Sequence, residues 1–361
     1  MLQKPKILVI KIGSNVLTKD GGHPDRERMD ALVTQIATLK SEGIKVLLVS
    51  SGAVAFGRGE ITLSEKTDPI LKKQIWASNG QIELINTYKG LFKKHDITIS
   101  QILVTKEDFR DRKHYLNMRN CLLGLISQGI VPVINENDTV AITELMFTDN
   151  DELASLTAAM VNADSMVLLT NVDGIFDGNP SLPESKLIHL IGNKLPDLGE
   201  VISPVKSSFG RGGMLTKTSM AKKAAELGIQ VWIANGKKEN ILLDIFNQKA
   251  PSTYFEPNPR KHSPKKWLAH GDQYFKGEVV INEGASIALT SNKISSLLPV
   301  GIISVKGDFS KGDIIRITDE KGAKIGLGKA EYPSPLVQEK IGQKNQKPFI
   351  HYDYLYLFQN G

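Results

Sequence analysis

The sequence lacks the features of disulfide-rich, membrane-spanning and secreted proteins. It contains a single cysteine, Cys121, which excludes an internal disulfide, and the apolar residues around it predict a buried structural thiol. The longest uncharged apolar runs, such as Val46–Val49 and Met166–Leu169, are far shorter than the ~20 residues of a membrane helix. No apolar segment near residue 1 is long enough for a signal peptide. We therefore expect a cytoplasmic protein that does not associate with membranes.

A strong excess of charge is also lacking. The net charge of +6 is spread thinly: residues 1–250 contain 30 basic and 28 acidic side chains, residues 251–266 contain 4 and 1, and residues 267–361 contain 11 and 10. This distribution does not indicate a dedicated basic domain for nucleic acid. The 7 histidines are scattered without metal-ligand spacing, so no metal site on protein side chains is predicted.

The first 250 residues alternate short apolar runs with segments of helical period. The predicted strands are Ile7–Ile10, Val46–Val49, Thr98–Val104, Ile130–Ile134, Met166–Thr170 and Gln230–Ala234. The predicted helices are Arg26–Ser41, Gln81–Lys94, His114–Ser127, Glu152–Val161 and Gly213–Leu227. This alternation predicts an α/β fold with a mostly parallel sheet sandwiched by helices. Ligands of such sheets bind beyond the carboxyl ends of the strands.

Repeated prolines between residues 251 and 264 interrupt this pattern. After them come short β-like runs separated by glycine-containing turns, which predict a small β-barrel. We therefore predict a first domain at residues 1–250, a linker at residues 251–266 and a second domain at residues 267–361.

Two turns that suit an anion follow the first two predicted strands. Lys11-Ile12-Gly13-Ser14 offers backbone N–H groups and a fixed positive charge, but alone it is more often a solvated lysine beside a strand-ending glycine. Ser50-Ser51-Gly52-Ala53 is as often an ordinary βα connection. Neither is a Walker loop, because the G-x-x-x-x-G-K-[ST] spacing is missing.

Polar clusters occur at two later strand ends or helix starts. Residues 135–138, Asn-Glu-Asn-Asp, suit a zwitterionic ligand because a carboxylate such as Asp138 can hold an α-ammonium group; surface solvation is the alternative. Asp149 or Asn150 can cap the next helix. However, three acidic residues within positions 149–152 exceed what capping needs, and an acid near two lysines would keep both charged and oriented.

The segment Gly210–Lys217 is the most informative motif. Its glycine-rich turn opens a helix and ends with a lysine in the first turns, which is one way to hold a triphosphate with helix-terminal N–H groups and a mobile ammonium. A flexible surface loop is the alternative, and Gly-Gly alone would favour it.

The conjunction of these motifs, in this order at the binding edge of one predicted sheet, resembles the amino-acid kinase family. Within it, VPVINENDTV, FTDNDELAS and GRGGMLTK look like the corresponding stretches of the glutamate 5-kinases. GEVVINEGASIAL, SSLLPVGIISVKGDFSKGD and GLGKAEY look like the PUA domain that many of them carry. The resemblance covers nearly the whole chain and implies an amino-acid kinase fold followed by a PUA-like domain.

The resemblance implies roles at the matching positions. Lys11 and Lys217 would neutralise the transferring phosphoryl group, and Asp151 would hold both lysines in place. The positions implied for glutamate binding are Ser51, Asp138 and Asn150. The positions implied for contact with ATP are Lys11, Thr170, Asn171, Arg211, Gly212, Gly213, Met214, Leu215, Thr216 and Lys217. The family commonly has Thr-Asp at residues 170–171, so Asn171 leaves the detail of nucleotide contact there open.

The implied reaction is the ATP- and Mg²⁺-dependent phosphorylation of the γ-carboxylate of L-glutamate, the first step of proline biosynthesis. The implied partners are a glutamyl phosphate reductase that receives the unstable product, proline as a feedback inhibitor, and further copies of the chain in a homo-oligomer. One alternative keeps the fold but acts on aspartate, N-acetylglutamate, carbamate or a nucleoside monophosphate; Asp138 and the PUA-like tail speak against it. The other is an RNA-binding or RNA-modifying protein, which the weak charge of residues 267–361 disfavours.

Overall fold

The structure, a computed structural model, describes residues 4–19, 22–140, 147, 149–180, 182–192, 213–259, 275–291 and 295–358. The chain divides into two units, one comprising residues 1–109 and 114–260 and the other residues 110–113 and 261–361. None of the helices in the described part of the chain has the length and apolar character needed to cross a membrane.

The first unit is built on an eight-stranded sheet in the order β3-β4-β2-β1-β5-β9-β10-β8. These strands are β1 Ile7–Ile12, β2 Lys45–Ser50, β3 Ile99–Val104, β4 Val131–Glu136, β5 Ser165–Thr170, β8 Leu190–Ile191, β9 Gln230–Asn235 and β10 Ser252–Phe255. Neighbouring strands are parallel except β9 and β10, which are antiparallel. A separate antiparallel pair joins β6 Ile175–Phe176 and β7 Leu187–Ile188.

Helices cover both faces of this sheet. They are α1 Ser14–Leu17, α2 Arg26–Ser41, α3 Ala53–Glu60, α4 Pro69–Lys93, α5 Lys106–Arg110, α6 Arg112–Ser127, α7 Asn150–Met160, α8 Met214–Glu226 and α9 Ile241–Phe246. Because side chains alternate along a strand, Leu8, Ile10 and Ile12 of β1 share one core with buried residues of α2, α4 and α9. Helix α7, in which every residue after Asn150 is buried, contacts β1 as well. The predicted sandwich of a mostly parallel sheet between helices is confirmed.

Two strands run two residues past their predicted carboxyl ends, and one helix begins 12 residues earlier than predicted. β1 ends at Ile12 and β4 at Glu136, so Lys11, Asn135 and Glu136 are strand residues rather than loop residues. α4 begins at Pro69 rather than Gln81, because the Asp68 side chain accepts hydrogen bonds from two backbone N–H groups of the first turn and proline suits the first helical position.

The prediction that Cys121 is a buried thiol is wrong, because the side chain is exposed. The buried residues of α6 are Tyr115, Leu122 and Ile126, which recur at helical spacing on one face. Cys121 lies off that face, so the apolar residues around it do not cover it.

The second unit contains a mixed sheet of five strands in the order β12-β11-β13-β14-β15. These are β11 Gly277–Ile281, β12 Ile302–Lys306, β13 Ile314–Asp319, β14 Lys324–Lys329 and β15 Leu355–Leu357, with helices α10 Glu283–Thr290 and α11 Ser334–Lys340. Its own core includes Val279, Ile281, Ile315 and Ile317, which alternate along β11 and β13. The predicted small C-terminal β domain is confirmed.

The predicted linker, residues 251–266, begins with a strand. Ser252–Phe255 forms β10 and pairs with β9, so this part of the chain belongs to the large sheet. Residues 260–274 lie outside the described part of the chain. The position of the domain boundary stays a prediction.

Candidate active site

A cleft of about 490 Å³ lies at the carboxyl ends of β1, β2, β4 and β5. The residues predicted for the site that line it are Lys11, Ser51, Asp138, Asn150, Thr170, Asn171 and Lys217. Parallel strands bring these distant positions together because their carboxyl ends meet at one edge of the sheet.

Two lysines that line this cleft share one buried carboxylate. Lys11 Nζ lies 2.6 Å from Asp151 Oδ1, and Lys217 Nζ lies 2.5 Å from Asp151 Oδ2. Strand alternation directs Lys11 away from the face of Ile10 and Ile12 and toward α7, which carries Asp151 near its N-terminus. Lys217 lies in the first turn of α8. The three side chains form the predicted cluster, with Asp151 completely buried.

Burial and charge act against each other in this cluster. Burial alone would raise the pKa of Asp151, but the two ammonium groups outweigh it and hold that pKa well below its usual range. Burial lowers the pKa of Lys11, and the opposing attraction of Asp151 does not fully compensate. Burial also acts to lower the pKa of Lys217, but Asp151 outweighs it and the net shift is upward. Asp151 therefore stays ionised and favours the charged form of both lysines.

Asp149 is a second buried carboxylate at the same edge. Its Oδ1 accepts hydrogen bonds from the N–H groups of Asp151 and Glu152, at 2.9 and 3.1 Å, which confirms it as the cap of α7. Its buried Oδ2 has no hydrogen-bond partner among the described residues. Burial and the nearby Asp151 raise the pKa of Asp149 to about 6, although Lys217 and Lys11 oppose the shift. Asp149 lines the cleft but was not among the residues predicted for substrate or ATP.

Asn150 organises the middle of the cleft. Its amide nitrogen donates hydrogen bonds to the Ser50 carbonyl and to Ser51 Oγ, both at 2.8 Å, and to Asn135 Oδ1 at 3.1 Å. Asn135 in turn donates to Gln81 Oε1 at 2.8 Å. The structure thus brings Ser51 and Asn150 together, as the resemblance implied. Asn135 is buried and belongs to this network, which excludes surface solvation as its role.

Asp138 lies in the turn that follows β4, at the β4 end of the cleft: among the four strands whose ends form the cleft, β4 is outermost on one side and β1 lies two strands away. Its Oδ1 is 2.5 Å from the ammonium of Lys73, and the structure thereby adds a residue that the sequence interpretation missed. Lys73 lies in the early part of α4, before Gln81, where the sequence predicted that this helix begins. The Asp68-Pro69 pair, a cap followed by proline, was the signal that could have placed it on a helix.

The positions predicted for nucleotide contact are only partly described. Thr170 ends β5, its hydroxyl donates to Asn171 Oδ1 at 3.3 Å, and both residues line the cleft. Gly213 is the N-cap of α8 and supplies no side-chain hydrogen bond. The N–H groups of the first turn, which includes Met214, Leu215 and Thr216, are therefore not capped by its side chain and suit an anion. Arg211 and Gly212 lie outside the described residues.

Comparisons with known proteins identify the family of the chain. The sequence model of the amino acid kinase family matches residues 6–235, and that of the PUA domain matches residues 277–349. The chain is 48% identical over 360 residues to a glutamate 5-kinase of Bacteroides thetaiotaomicron, covering 99% of this chain and 100% of that protein. It is 50% identical over 355 residues to a glutamate 5-kinase of Chlorobaculum tepidum, covering 97% of each.

Similar solved structures show the same fold in more distant proteins. A UMP kinase from Ureaplasma parvum aligns with a TM-score of 0.50 and 17% identity, over 70% of this chain and 100% of that one. A carbamate kinase from Giardia lamblia bound to AMP-PNP aligns with a TM-score of 0.50 and 16% identity, over 70% and 99%. The matches to the two glutamate 5-kinases have higher sequence identity and cover more of the chain than these structural matches. The chain therefore belongs to the amino acid kinase family, and within it to the glutamate 5-kinases that carry a C-terminal PUA domain.

Proposed function

We propose that this chain transfers the γ-phosphoryl group of ATP to the γ-carboxylate of L-glutamate, forming γ-glutamyl phosphate for proline biosynthesis. The observation that carries the proposal is one cleft with two chemically different ends. Lys11, Asp151 and Lys217 stand at one end, and Asp138 stands at the other. The first group suits a transferring phosphoryl group, and the second suits the ammonium of a free amino acid.

The chemistry needs no general base, because a carboxylate is already an oxygen nucleophile at neutral pH. The protein must bring two anions into line and stabilise the charge on the transferred group. Lys11 and Lys217 supply that charge from positions that Asp151 fixes, so the groups need little reorganisation during transfer. Asn150 and Ser51, joined by a hydrogen bond, would orient the acceptor carboxylate between the two ends of the cleft.

We propose that Mg²⁺ enters with the triphosphate. Within the described residues, no group of three or more His, Cys, Asp or Glu side chains is placed to hold a metal ion. Mg²⁺ needs few protein ligands when phosphates and water supply the rest. Asp149 lines the cleft and its Oδ2 has no hydrogen-bond partner among the described residues, which fits such a limited role. When bound, the ion would neutralise charge on the phosphate oxygens.

The reaction is tested by trapping the acyl phosphate with hydroxylamine in the presence of ATP and Mg²⁺. Glutamate, aspartate and N-acetylglutamate are compared in parallel. We expect glutamate to be preferred and N-acetylglutamate to be poor, because acetylation removes the ammonium that Asp138 would bind. Equal rates on these two substrates would end the assignment.

We also propose that the chain forms a homo-oligomer. Ile82 of α4 and Leu103 of the edge strand β3 are exposed large apolar side chains. Together with Ala77 and Ile85 they line a second cavity of about 420 Å³. An exposed apolar surface of this kind suits contact with another copy. Light scattering of wild-type and Ile82→Glu protein tests this, and an unchanged mass would contradict the role of this surface.

Further proposals concern partners that the family suggests. These are feedback inhibition by proline, delivery of the product to a glutamyl phosphate reductase, and a cytoplasmic location. Proline titrated into the hydroxylamine assay tests the first. RNA binding by the PUA domain has weaker support, because residues 267–361 carry 11 basic and 10 acidic side chains. Gel retardation at physiological salt tests it.

The predicted domain boundary leads to a truncation experiment. All proposed chemistry lies at or before Lys217, so a chain ending at Lys261 should fold and keep glutamate kinase activity. Circular dichroism must accompany the assay. A folded but inactive product would mean that later residues contribute to activity, and an insoluble product would contradict the boundary.

A further inference from the structure

Lys73 is a cation in the cleft whose role the family positions leave unassigned. Its ammonium lies 2.5 Å from Asp138 Oδ1, and both residues line the cleft that contains Lys11 and Lys217. The Lys73 side chain is 30% exposed and that of Asp138 is 12% exposed. The pair is thus accessible to a small ligand yet largely removed from solvent.

The surrounding structure holds Lys73 in place. α4 packs directly against α3: a Cβ added to Gly57 would lie 1.9 Å from the Trp76 carbonyl oxygen, and one added to Gly80 would lie 1.9 Å from that of Ala53. Gln74, next to Lys73, donates a hydrogen bond to the Thr139 carbonyl at 3.2 Å. The turn that carries Asp138 is therefore tied to α4 at two adjacent positions.

The other cations of the cleft have different surroundings. Lys11 and Lys217 are both bound to Asp151. Arg58 is exposed and lies over the ring of Trp76, 4.7 Å from its centroid. Only Lys73, among the cationic side chains described in this cleft, is paired with the carboxylate proposed to bind the substrate ammonium.

We propose that Lys73 binds the α-carboxylate of glutamate while Asp138 binds its α-ammonium. This inference rests on the proposed function and adds a specificity-determining residue to it. An α-amino acid carries its ammonium and its carboxylate on the same carbon, so its two counter-charges must be neighbours in the site. Lys73 and Asp138 are such neighbours. On binding, the Lys73–Asp138 ion pair is replaced by two ion pairs with the substrate, so each charged group has a partner in both the free and the bound protein.

The same exchange selects against incomplete substrates. A ligand without the α-carboxylate takes Asp138 from Lys73 and leaves the ammonium of Lys73 without a partner in a poorly hydrated place. A ligand without the α-ammonium does the same to Asp138. Leaving a charged group unpaired costs more than the pair itself contributes, so the site rejects both.

The test compares three ligands that differ in one group each. Glutamate has both α-groups, 4-aminobutyrate lacks the α-carboxylate, and glutarate lacks the α-ammonium. Glutamate is measured as a substrate and the other two as competitors against it, with wild type, Lys73→Met and Lys72→Met. Lys72 is a matched control on the same helix, because it donates to the Glu65 carbonyl and does not line the cleft.

We expect Lys73→Met to weaken glutamate binding by about tenfold to hundredfold, as for loss of a charge-assisted hydrogen bond. The inhibition constant of 4-aminobutyrate should stay nearly unchanged or improve, because this ligand has no carboxylate for Lys73 to bind. The preference for glutamate over 4-aminobutyrate should therefore collapse in Lys73→Met but persist in Lys72→Met. Lys73→Arg keeps the positive charge and should retain part of the preference for glutamate over 4-aminobutyrate.

Three outcomes separate the possible failures. If Lys73→Met weakens both ligands by the same factor, Lys73 only holds the Asp138 turn, and the inference is overturned. If glutamate binding is unchanged, its α-carboxylate lies elsewhere. A wild type that forms no glutamyl hydroxamate contradicts the proposed function itself. Melting temperatures identify a misfolded Lys73→Met, in which case Lys73→Gln carries the same comparison and Lys73→Arg remains the control that keeps the charge.

Discussion

The two ends of the cleft hold their charges in different ways. At one end, Asp151 is fully buried and bound by Lys11 and Lys217, whose side chains are 5% and 15% exposed. At the other end, Lys73 and Asp138 form a single pair that is partly open to the cleft. The buried cluster is preorganised for charge that develops during a reaction, whereas the open pair is suited to exchange with a ligand. Removing a charge should therefore affect turnover at the first end and binding at the second.

The largest effect is expected for Asp151→Asn. It leaves two ammonium groups close together in a buried place, so both stability and kcat should fall. Loss of one partner from a buried ion cluster costs about 3–5 kcal/mol, and kcat should fall on the order of thousandfold because both lysines lose their position. Chemical denaturation and the hydroxylamine assay measure the two effects.

A neighbouring ion pair provides the control for Asp151→Asn. Glu152→Gln disrupts the buried pair with Lys106, whose atoms are 3.1 Å apart, without touching the lysines of the cleft. We expect it to destabilise the protein while the folded enzyme keeps most of its kcat. Equal losses of kcat in Asp151→Asn and Glu152→Gln would show that activity depends on any buried ion pair in this region rather than on the position of Asp151 beside the two lysines.

Lys217→Ala is expected to have the next largest effect. The side chain adds charge to the transferring group, so kcat should fall by about 100-fold while binding of ATP weakens less. Removal of Lys217 also leaves Asp151 paired with Lys11, so the protein should remain folded. A normal kcat would place the phosphate site elsewhere and remove the contrast between the two ends.

Sequence reasoning predicted one end of the cleft better than the other. Lys11, Asp151 and Lys217 follow from strand ends and helix starts, which local patterns and the family resemblance both locate. The contact between Lys73 and Asp138 joins residues 65 positions apart and depends on how α4 packs, and the predicted helix began only at Gln81. Local patterns also could not tell that β4 continues through the buried Asn135 and Glu136, because polar residues usually mark a loop.

Asp138→Ala should act mainly on substrate binding. The KM for glutamate should rise by about tenfold to hundredfold, and that for ATP should change little, because the pair lies where we propose that the amino acid binds. Stability should fall by about 1 kcal/mol or less, since solvent partly reaches the Lys73 side chain that loses its partner. An unchanged glutamate KM would show that the turn carrying Asp138 does not contact the substrate.

A gain rather than a loss is expected for Asp149→Asn, which should be more stable than wild type. Burial and the nearby Asp151 raise the pKa of Asp149 to about 6 in the folded protein, from 3.8 for an unperturbed group. The folded state therefore binds this proton more tightly than the unfolded state, and ionisation of Asp149 destabilises the fold as pH rises from about 4 to about 6. Asparagine remains neutral and still caps α7, so it avoids this loss.

The difference in unfolding free energy between Asp149→Asn and wild type should consequently depend on pH. It should be smallest below pH 4, grow through pH 6 and level off above it, at roughly 1–3 kcal/mol for a shift of this size. Denaturant titrations of the ligand-free protein at several pH values measure this difference, and Asp138→Asn is the comparison at the open end of the cleft. Asp138 has Lys73 as its counter-ion, so its amide variant loses an ion pair and should not be more stable than wild type. If the difference for Asp149→Asn is constant across this range, folding does not disfavour ionisation of Asp149. The two ends of the cleft would then differ less in their electrostatics than the burial of their carboxylates suggests.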